Sequence, residues 1–190
     1  MTLSLSQIID LTAEYAPGWA VPHARRLLRL ALQIAGDLQP DWVAMQYAAF
    51  LHDWGAFPRY RQPGVAHPLR SRQVAESEIL PHTALDAEQV RLVLEAIEYH
   101  DYRDDRPAPS AEALLLREAD FLDFLGATGL AREIAWDPGD LRASLTRAAR
   151  RKDLLAGRFT LPAARELAAA RIARMNQVLA WLEEESGGDL

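Results

Sequence analysis

The sequence predicts an all-α fold built as a single-domain helical bundle. Apolar residues recur with helical periodicity along nearly the whole chain, and no segment shows the alternating pattern of a strand. The 190 residues are 49% hydrophobic and 25% charged, which is the composition of a globular protein rather than of a disordered chain. This length is enough for one domain with a substantial core and short for two.

Three helices are predicted in the first third of the chain. Pro17-Gly18 ends the first amphipathic segment, and the second begins with Pro22 in its first turn and stops at Gly36. The third follows Pro40-Asp41 and ends in the sequence FLHDWGAF. The stretch WGAFPRYRQPGVA is rich in Gly, Pro and Arg, which is typical of a loop over a site. These elements are helices over residues 5–16, 22–35 and 40–53 and a loop over residues 54–66.

Five further helices are predicted after this loop. Asp86 and Ser110 are suitable N-caps for two of them, because their side chains can accept from the free N–H groups of a first turn. The proline-bearing loop RDDRPAP supports the boundary at Ser110. The predicted helices span residues 68–80, 86–99, 110–125, 138–156 and 161–185.

Composition narrows the function classes. The sequence has no cysteine, so disulfides and thiolate metal sites are excluded, and any metal must be held by nitrogen and oxygen ligands. A net charge of −6 argues against an extended nucleic-acid surface. No segment is apolar for the roughly 18 residues that a membrane span needs, and residues 1–16 lack the pattern of a secretory signal. We therefore expect a cytoplasmic protein without a membrane partner.

Ionisable residues occur where an apolar core is predicted. His52 and Asp53 end the third helix, and Asp120 interrupts the apolar stretch ALLLREADFLDFLG. A buried carboxylate needs a strong partner, and for Asp120 an arginine or a metal ion would serve. Imidazoles combined with carboxylates suit Mn, Fe, Co, Ni or Zn better than Ca. The residues alone leave open whether His52 and Asp53 hydrogen-bond to each other or hold a metal ion.

The order His23, His52-Asp53 and Asp120 resembles the H…HD…D signature of the HD-domain metal-dependent phosphohydrolase superfamily. The stretches AAFLHDWG, SRQVAESEIL, VLEAIEYH and LREADFLDFLGATGLARE are similar to segments of its small, standalone bacterial members. The resemblance runs from about His23 to Glu185. It implies one HD domain over residues 1–190, with a core at about residues 20–126 and C-terminal helices at 138–185 packed on it.

The resemblance also implies roles for individual side chains. Asp123, one helical turn beyond Asp120, is expected to orient a metal ligand, with an arginine partner as an equal alternative. His82 follows a proline in an apparent turn and is expected at the surface. His67 and His100 match positions where HD proteins hold a second metal or face the substrate. The implied set is His23, His52, Asp53 and Asp120 as metal ligands, and His67, His100 and Asp53 in catalysis.

The expected activity is hydrolysis of a nucleotide or other small phosphate ester by water activated at one or two divalent ions. The metal is left open among Mn, Ni, Co, Fe, Mg and Zn. Arg70 and Arg103 each lie within three residues of His67 or His100, and we expect them to bind phosphate. Two alternatives stay open: a di-iron HD-type oxygenase, and a non-catalytic HD module for ligand binding or signalling. The sequence leaves a homodimer open as well.

Overall fold

The structure, a computed structural model, describes residues 2–187 and residue 189. Over these residues every regular element is helical and no strand occurs, which confirms the all-α prediction. No helix in this part of the chain has the length and apolar character needed to cross a membrane. The α-helices are α1 (Leu5–Tyr15), α2 (Ala20–Ile34), α3 (Trp42–Leu51), α4 (His67–Val74), α5 (Ala87–Tyr99), α6 (Ala111–Asp123), α7 (Gly126–Trp136), α8 (Leu141–Leu155) and α9 (Pro162–Ser186).

Local capping explains several of these boundaries. Ser4 and Asp86 each form a capping box with the residue three positions later, at the starts of α1 and α5. Asp41 accepts from the backbone N–H groups of Val43 and Ala44 at the start of α3. Short helical segments complete the list: a 3-10 turn at Trp54–Ala56, a π-helical segment at Ala75–Ile79 that extends α4, and a 3-10 turn at Leu80–His82.

Helix α7 is the one α-helix among the described residues that the sequence reasoning did not predict. Gly126 and Gly129 lie in its first turn and weaken the helical pattern there. A Cβ atom at Gly129 would lie 2.0 Å from the carbonyl oxygen of Phe124, so only glycine permits this close backbone approach. The tight path of the chain from Phe124 into α7 therefore requires glycine in a helix that its local propensity disfavours.

The described residues form two compact units, the first ending at Ala119 and the second beginning at Asp120. In the first unit, α3 packs against α1, α2 and α5, and α4 packs against α5 and the turn Trp54–Ala56. The central position of α3 accounts for its apolar character on all sides. Its side chains join a core in which each fully buried Leu, Ile or Phe contributes about 1.5–3 kcal/mol.

In the second unit, α7 packs against α8 and α9. A buried cluster of Leu130, Leu145, Ala148 and Met175 joins the three helices. Glu133 of α7 is buried and forms ion pairs with Arg147 and Arg151 of α8. The domain bounds inferred from the sequence, including the packing of residues 138–185 on the core, stay predictions.

Candidate metal centre

Four helix ends of the first unit bring five of the predicted site residues together. His23 lies near the start of α2 and His67 is the first residue of α4, whereas His52 and His100 cap the ends of α3 and α5. Asp53 follows His52 and precedes the 3-10 turn. The three histidines other than His67 are at most 2% exposed, so the cluster lies largely out of solvent.

The carboxylate of Asp53 divides this cluster in two. Its Oδ2 atom lies 3.2 Å from Nε2 of His52 and 3.6 Å from Nε2 of His23, and those two nitrogens are 3.2 Å apart. Its Oδ1 atom lies 3.4 Å from Nε2 of His67 and 3.9 Å from Nε2 of His100, and those nitrogens are also 3.2 Å apart. Each carboxylate oxygen therefore faces its own pair of imidazoles.

Backbone carbonyls set the tautomers of two of these histidines. Nδ1 of His52 lies 2.9 Å from the carbonyl oxygen of Ala49, and Nδ1 of His100 lies 2.7 Å from that of Ile97. Because a carbonyl can only accept, both Nδ1 atoms carry the hydrogen and donate. In the neutral rings the Nε2 lone pairs then point towards Asp53. Carbonyl contacts of this kind orient imidazoles that ligate metal ions.

Electrostatics favours an ionised Asp53 and neutral forms of His67 and His100. Burial raises the pKa of Asp53, but the nearby imidazoles, above all that of His52, outweigh burial and hold this pKa well below its usual value. Burial also lowers the pKa of His67 and of His100, and neighbouring imidazoles lower both further. An ionised Asp53 beside neutral His67 and His100 offers electron pairs to a divalent ion.

Hydrogen bonds on both sides hold the 3-10 turn Trp54–Ala56, which follows the His52-Asp53 pair. Trp54 donates its Nε1–H to Oγ1 of Thr12 at 3.0 Å, and the backbone N–H of Gly55 donates to Oγ of Ser71 at 2.8 Å. A Cβ atom at Gly55 would lie 2.4 Å from the carbonyl oxygen of His67. Glycine thus allows this turn to approach the first turn of α4, which places His67 beside the cluster.

The sequence reasoning missed Asp101. This buried carboxylate lies with Oδ2 3.5 Å from Nδ1 of His67 and accepts from Nε of Arg103 at 2.8 Å. The guanidinium of Arg103 also lies 3.4 Å from Nδ1 of His67, through Nη2. Asp101 follows His100 directly, and this second His-Asp pair in EYHD was the signal that could have identified it.

Within the described residues, Arg70 and His82, two residues considered from the sequence, make no hydrogen bond or ion pair with the histidine cluster. Arg70 donates Nε–H to the carbonyl oxygen of Tyr60 at 2.8 Å and Nη1–H to Gln73 at 3.4 Å, so its guanidinium is held by local contacts. His82 is exposed at the end of the 3-10 turn Leu80–His82, which is the surface position that its sequence context indicates.

The two carboxylates from the end of α6 belong to the second unit. Asp123 is fully buried and accepts from Nη1 of Arg132 at 2.5 Å, which is the arginine pairing that the sequence left open. Asp120 is 5% exposed. Its role as a metal ligand stays a proposal that rests on the sequence resemblance.

Comparison with known proteins identifies the family. The family model of the HD domain matches residues 21–125, which is more than half of the chain. The chain belongs to the HD domain family. A search of curated proteins found no match.

Solved structures share the fold of this HD protein. Bacillus subtilis YpgQ is 23% identical, with a TM-score of 0.73 over 95% of this chain and 94% of that one. The same protein in complex with ADP has a TM-score of 0.72 at 23% identity, over 96% and 97% of the two chains. An HD-superfamily hydrolase from Bacillus thuringiensis has a TM-score of 0.63 at 23% identity, over 96% of both chains. These likenesses confirm the predicted HD-type fold.

Proposed function

We propose that this HD protein is a divalent-metal-dependent phosphohydrolase that acts on a nucleotide or another small phosphate ester. The observation that carries the proposal is the convergence of imidazole Nε2 atoms on the ionised carboxylate of Asp53. For His52 and His100, the carbonyl contacts place the hydrogen on Nδ1, so Nε2 of the neutral ring carries a lone pair. Lone pairs of buried imidazoles beside an ionised carboxylate form an electron-rich donor set that suits a divalent cation.

The donor set fits a divalent ion of borderline hardness. Imidazole nitrogens and carboxylate oxygens together suit Mn, Fe, Co, Ni and Zn. His52, Asp53 and His100 offer ligand atoms that all lie within 4.8 Å of one another. We assign His23, His52, Asp53 and Asp120 as ligands of one ion, with Asp120 carried by the family resemblance. His67 and His100 would join Asp53 around a second.

When bound, the metal would lower the pKa of its bound water and polarise a phosphoryl oxygen. The chain's own residues account for the rest. The carboxylate of Asp53 is ionised and can accept a proton from an attacking water. In a site with one ion, His67, with a side chain 24% exposed against 1% for His100, is the better placed of the two to protonate a departing oxygen. Arg103 lies beside His67 and is 64% exposed, which suits contact with phosphate.

One observation supports a nucleotide as the substrate, and the donor set of the cluster is compatible with its hydrolysis. The ADP complex of YpgQ shows that a protein of the same fold binds a nucleotide, although the identity is 23%. The protein contains four clustered histidines and a carboxylate, which is the donor set of a hydrolytic divalent site rather than of a thiolate or haem site. A di-iron oxygenase would use similar ligands, so iron content and oxygen consumption separate the two reactions.

The first test is metal content, by mass spectrometry, of wild type, Asp53→Ala and the exposed-site control Asp10→Ala, all purified without added metal. We expect one or two divalent ions per chain in wild type and in Asp10→Ala, and loss of metal in Asp53→Ala. The loaded protein is then incubated with nucleoside mono-, di- and triphosphates and small phosphomonoesters, and released phosphate or pyrophosphate is measured. A metal-loaded wild type that releases neither product from any of these compounds would contradict the proposal.

A further inference from the structure

A groove opens next to the histidine cluster in the first unit. Its volume is about 550 Å³, within the usual range for pockets that bind small molecules. One wall is the start of α4, with Ala66, Pro68 and Leu69, and the other is formed by the segment from Glu98 to Arg106. Both walls are part of the first compact unit.

The groove and the histidine cluster share a boundary. His67 belongs to the cluster through its contact with Asp53, and its chain neighbours Ala66 and Pro68 line the groove. Asp101 lines the groove as well and lies 3.5 Å from Nδ1 of His67. A substrate with its phosphate at the cluster can therefore extend its organic part past His67 into the groove.

The charges of the groove disfavour a second phosphate group there. Its lining carries four carboxylates, from Glu98, Asp101, Asp104 and Asp105, against the guanidinium groups of Arg103 and Arg106. Asp101 is paired with Arg103, and Arg106 is paired with both Glu98 and Asp104. An uncharged group that donates hydrogen bonds suits such a lining better than an anion does.

Two side chains give the groove surfaces that suit a flat ring. Leu69 lines the groove and is 46% exposed, so its side chain offers apolar surface to a ligand there. The guanidinium of Arg106 lies over the ring of Tyr99, with its carbon 4.1 Å from the ring centroid, and hydrogen-bonds to Glu98 and Asp104. A guanidinium held on one face by a tyrosine leaves its other face for stacking on a second flat group.

We infer that this groove binds the nucleoside part of the substrate, with Leu69 and Arg106 in contact with the base. The inference rests on the proposed phosphohydrolase function and adds to it the recognition of the organic half of the substrate. Exocyclic amino groups of a base would donate to the carboxylates of the lining, and the base would stack on Arg106 and pack on Leu69.

The test compares the binding of two probes that share a non-hydrolysable bridge, α,β-methylene-ADP and methylenediphosphonate. Calorimetry with Mn²⁺-loaded full-length protein gives Kd for both probes with wild type, Leu69→Glu and Arg106→Lys. Leu32→Glu is the control, because Leu32 is 66% exposed on α2 and does not line the groove. Circular dichroism of each variant checks that it is folded.

We expect wild type to bind the nucleotide probe more tightly than methylenediphosphonate. In Leu69→Glu this preference should fall by about tenfold or more, the effect of one mismatched contact in a binding pocket. Arg106→Lys keeps the charge but loses the flat stacking surface, so the preference should fall there too, whereas Leu32→Glu should keep it.

Equal binding of the two probes by wild type would overturn the inference, and so would an unchanged preference in both groove variants. If the loaded protein hydrolyses none of the phosphate compounds, the proposed function fails, whatever the binding data show. The two failures are thus distinguishable, because binding of the bridged probes does not depend on turnover.

Discussion

The carboxylate of Asp101 lies 3.5 Å from Nδ1 of His67 and also holds the guanidinium of Arg103 through Nε and Nη2. Since Nε2 of His67 faces Asp53, this contact reaches the far side of the imidazole from the cluster. A carboxylate in that position fixes the orientation of the ring. Asp101 is thus a positioning residue for His67.

Replacement of Asp101 by Asn should lower kcat by about tenfold or more, the usual cost of losing an outer carboxylate behind a site histidine. KM should change less, and at least the first ion should stay bound, because Asp101 contacts none of its four assigned ligands. Asp137→Asn is the matched control, since Asp137 also pairs with an arginine but belongs to the second unit. Loss of every bound ion in Asp101→Asn, or an unchanged kcat, would contradict this role.

Gly55→Ala should destabilise the protein through a steric clash rather than through backbone conformation. The added Cβ would lie 2.4 Å from the carbonyl oxygen of His67 and 2.5 Å from the backbone nitrogen of Ser71. Because these atoms belong to the backbone, α4 must shift, at a cost of about 1–3 kcal/mol in the free energy of unfolding. Urea denaturation measures this change.

Gly157→Ala is the control for that experiment, because a Cβ there meets no atom within 4 Å. We expect its free energy of unfolding to stay within about 1 kcal/mol of wild type. Similar stability of the two variants would show that the turn after Asp53 tolerates displacement. If Gly55→Ala folds, its metal affinity then reports how far the shift of α4 moves His67.

The sequence predicted the helices best where capping and periodicity agree. Asp86 begins α5 with a capping box, as its position indicated, whereas α7 was missed because Gly126 and Gly129 lie in its first turn. The close approach of Gly129 to the backbone of Phe124, five residues earlier, accounts for a glycine there, and hydrophobic periodicity does not indicate it.

In the site, some contacts join neighbours in the chain and others depend on tertiary packing. The gathering of His23, His52-Asp53, His67 and His100 agrees with the motif spacing, and the neighbours in the chain set two tautomers. Asp101 was missed because its contact with His67 joins positions 34 residues apart in the chain. Motif patterns identify the groups of a site, but the partners that orient them depend on how the helix ends pack.

Glu133 gives a pH-dependent contribution to the stability of the second unit. It accepts from Nε of Arg147 at 2.8 Å and from Nη1 of Arg151 at 2.5 Å. Burial raises the pKa of Glu133, but its hydrogen bonds with the two arginines outweigh burial and lower this pKa below its usual value. A depressed pKa in the folded state contributes stability above the unfolded pKa of about 4.3, and this contribution is lost as the pH falls through the folded pKa.

Glu133→Gln should therefore lower the free energy of unfolding by about 1–3 kcal/mol at pH 7, because two charged hydrogen bonds are lost. The difference from wild type should shrink as the pH falls below about 4. Thermal unfolding of both proteins between pH 7 and pH 3 measures this. A difference that stays constant over the range would mean that packing, rather than charge, accounts for the effect.

The division of the cluster by Asp53 leads us to expect two divalent ions per chain. Oδ2 faces His23 and His52, and Oδ1 faces His67 and His100, so one carboxylate can serve two neighbouring ions. His100→Ala removes a ligand from the Oδ1 side of Asp53 and leaves the Oδ2 side, with His23 and His52, unchanged. Metal analysis should then give two ions in wild type and one in His100→Ala, with the remaining ion lost in the double variant His52→Ala/His100→Ala. A single ion in wild type that His100→Ala leaves in place would restrict the metal to the His23 side and leave His100 without a role as a ligand.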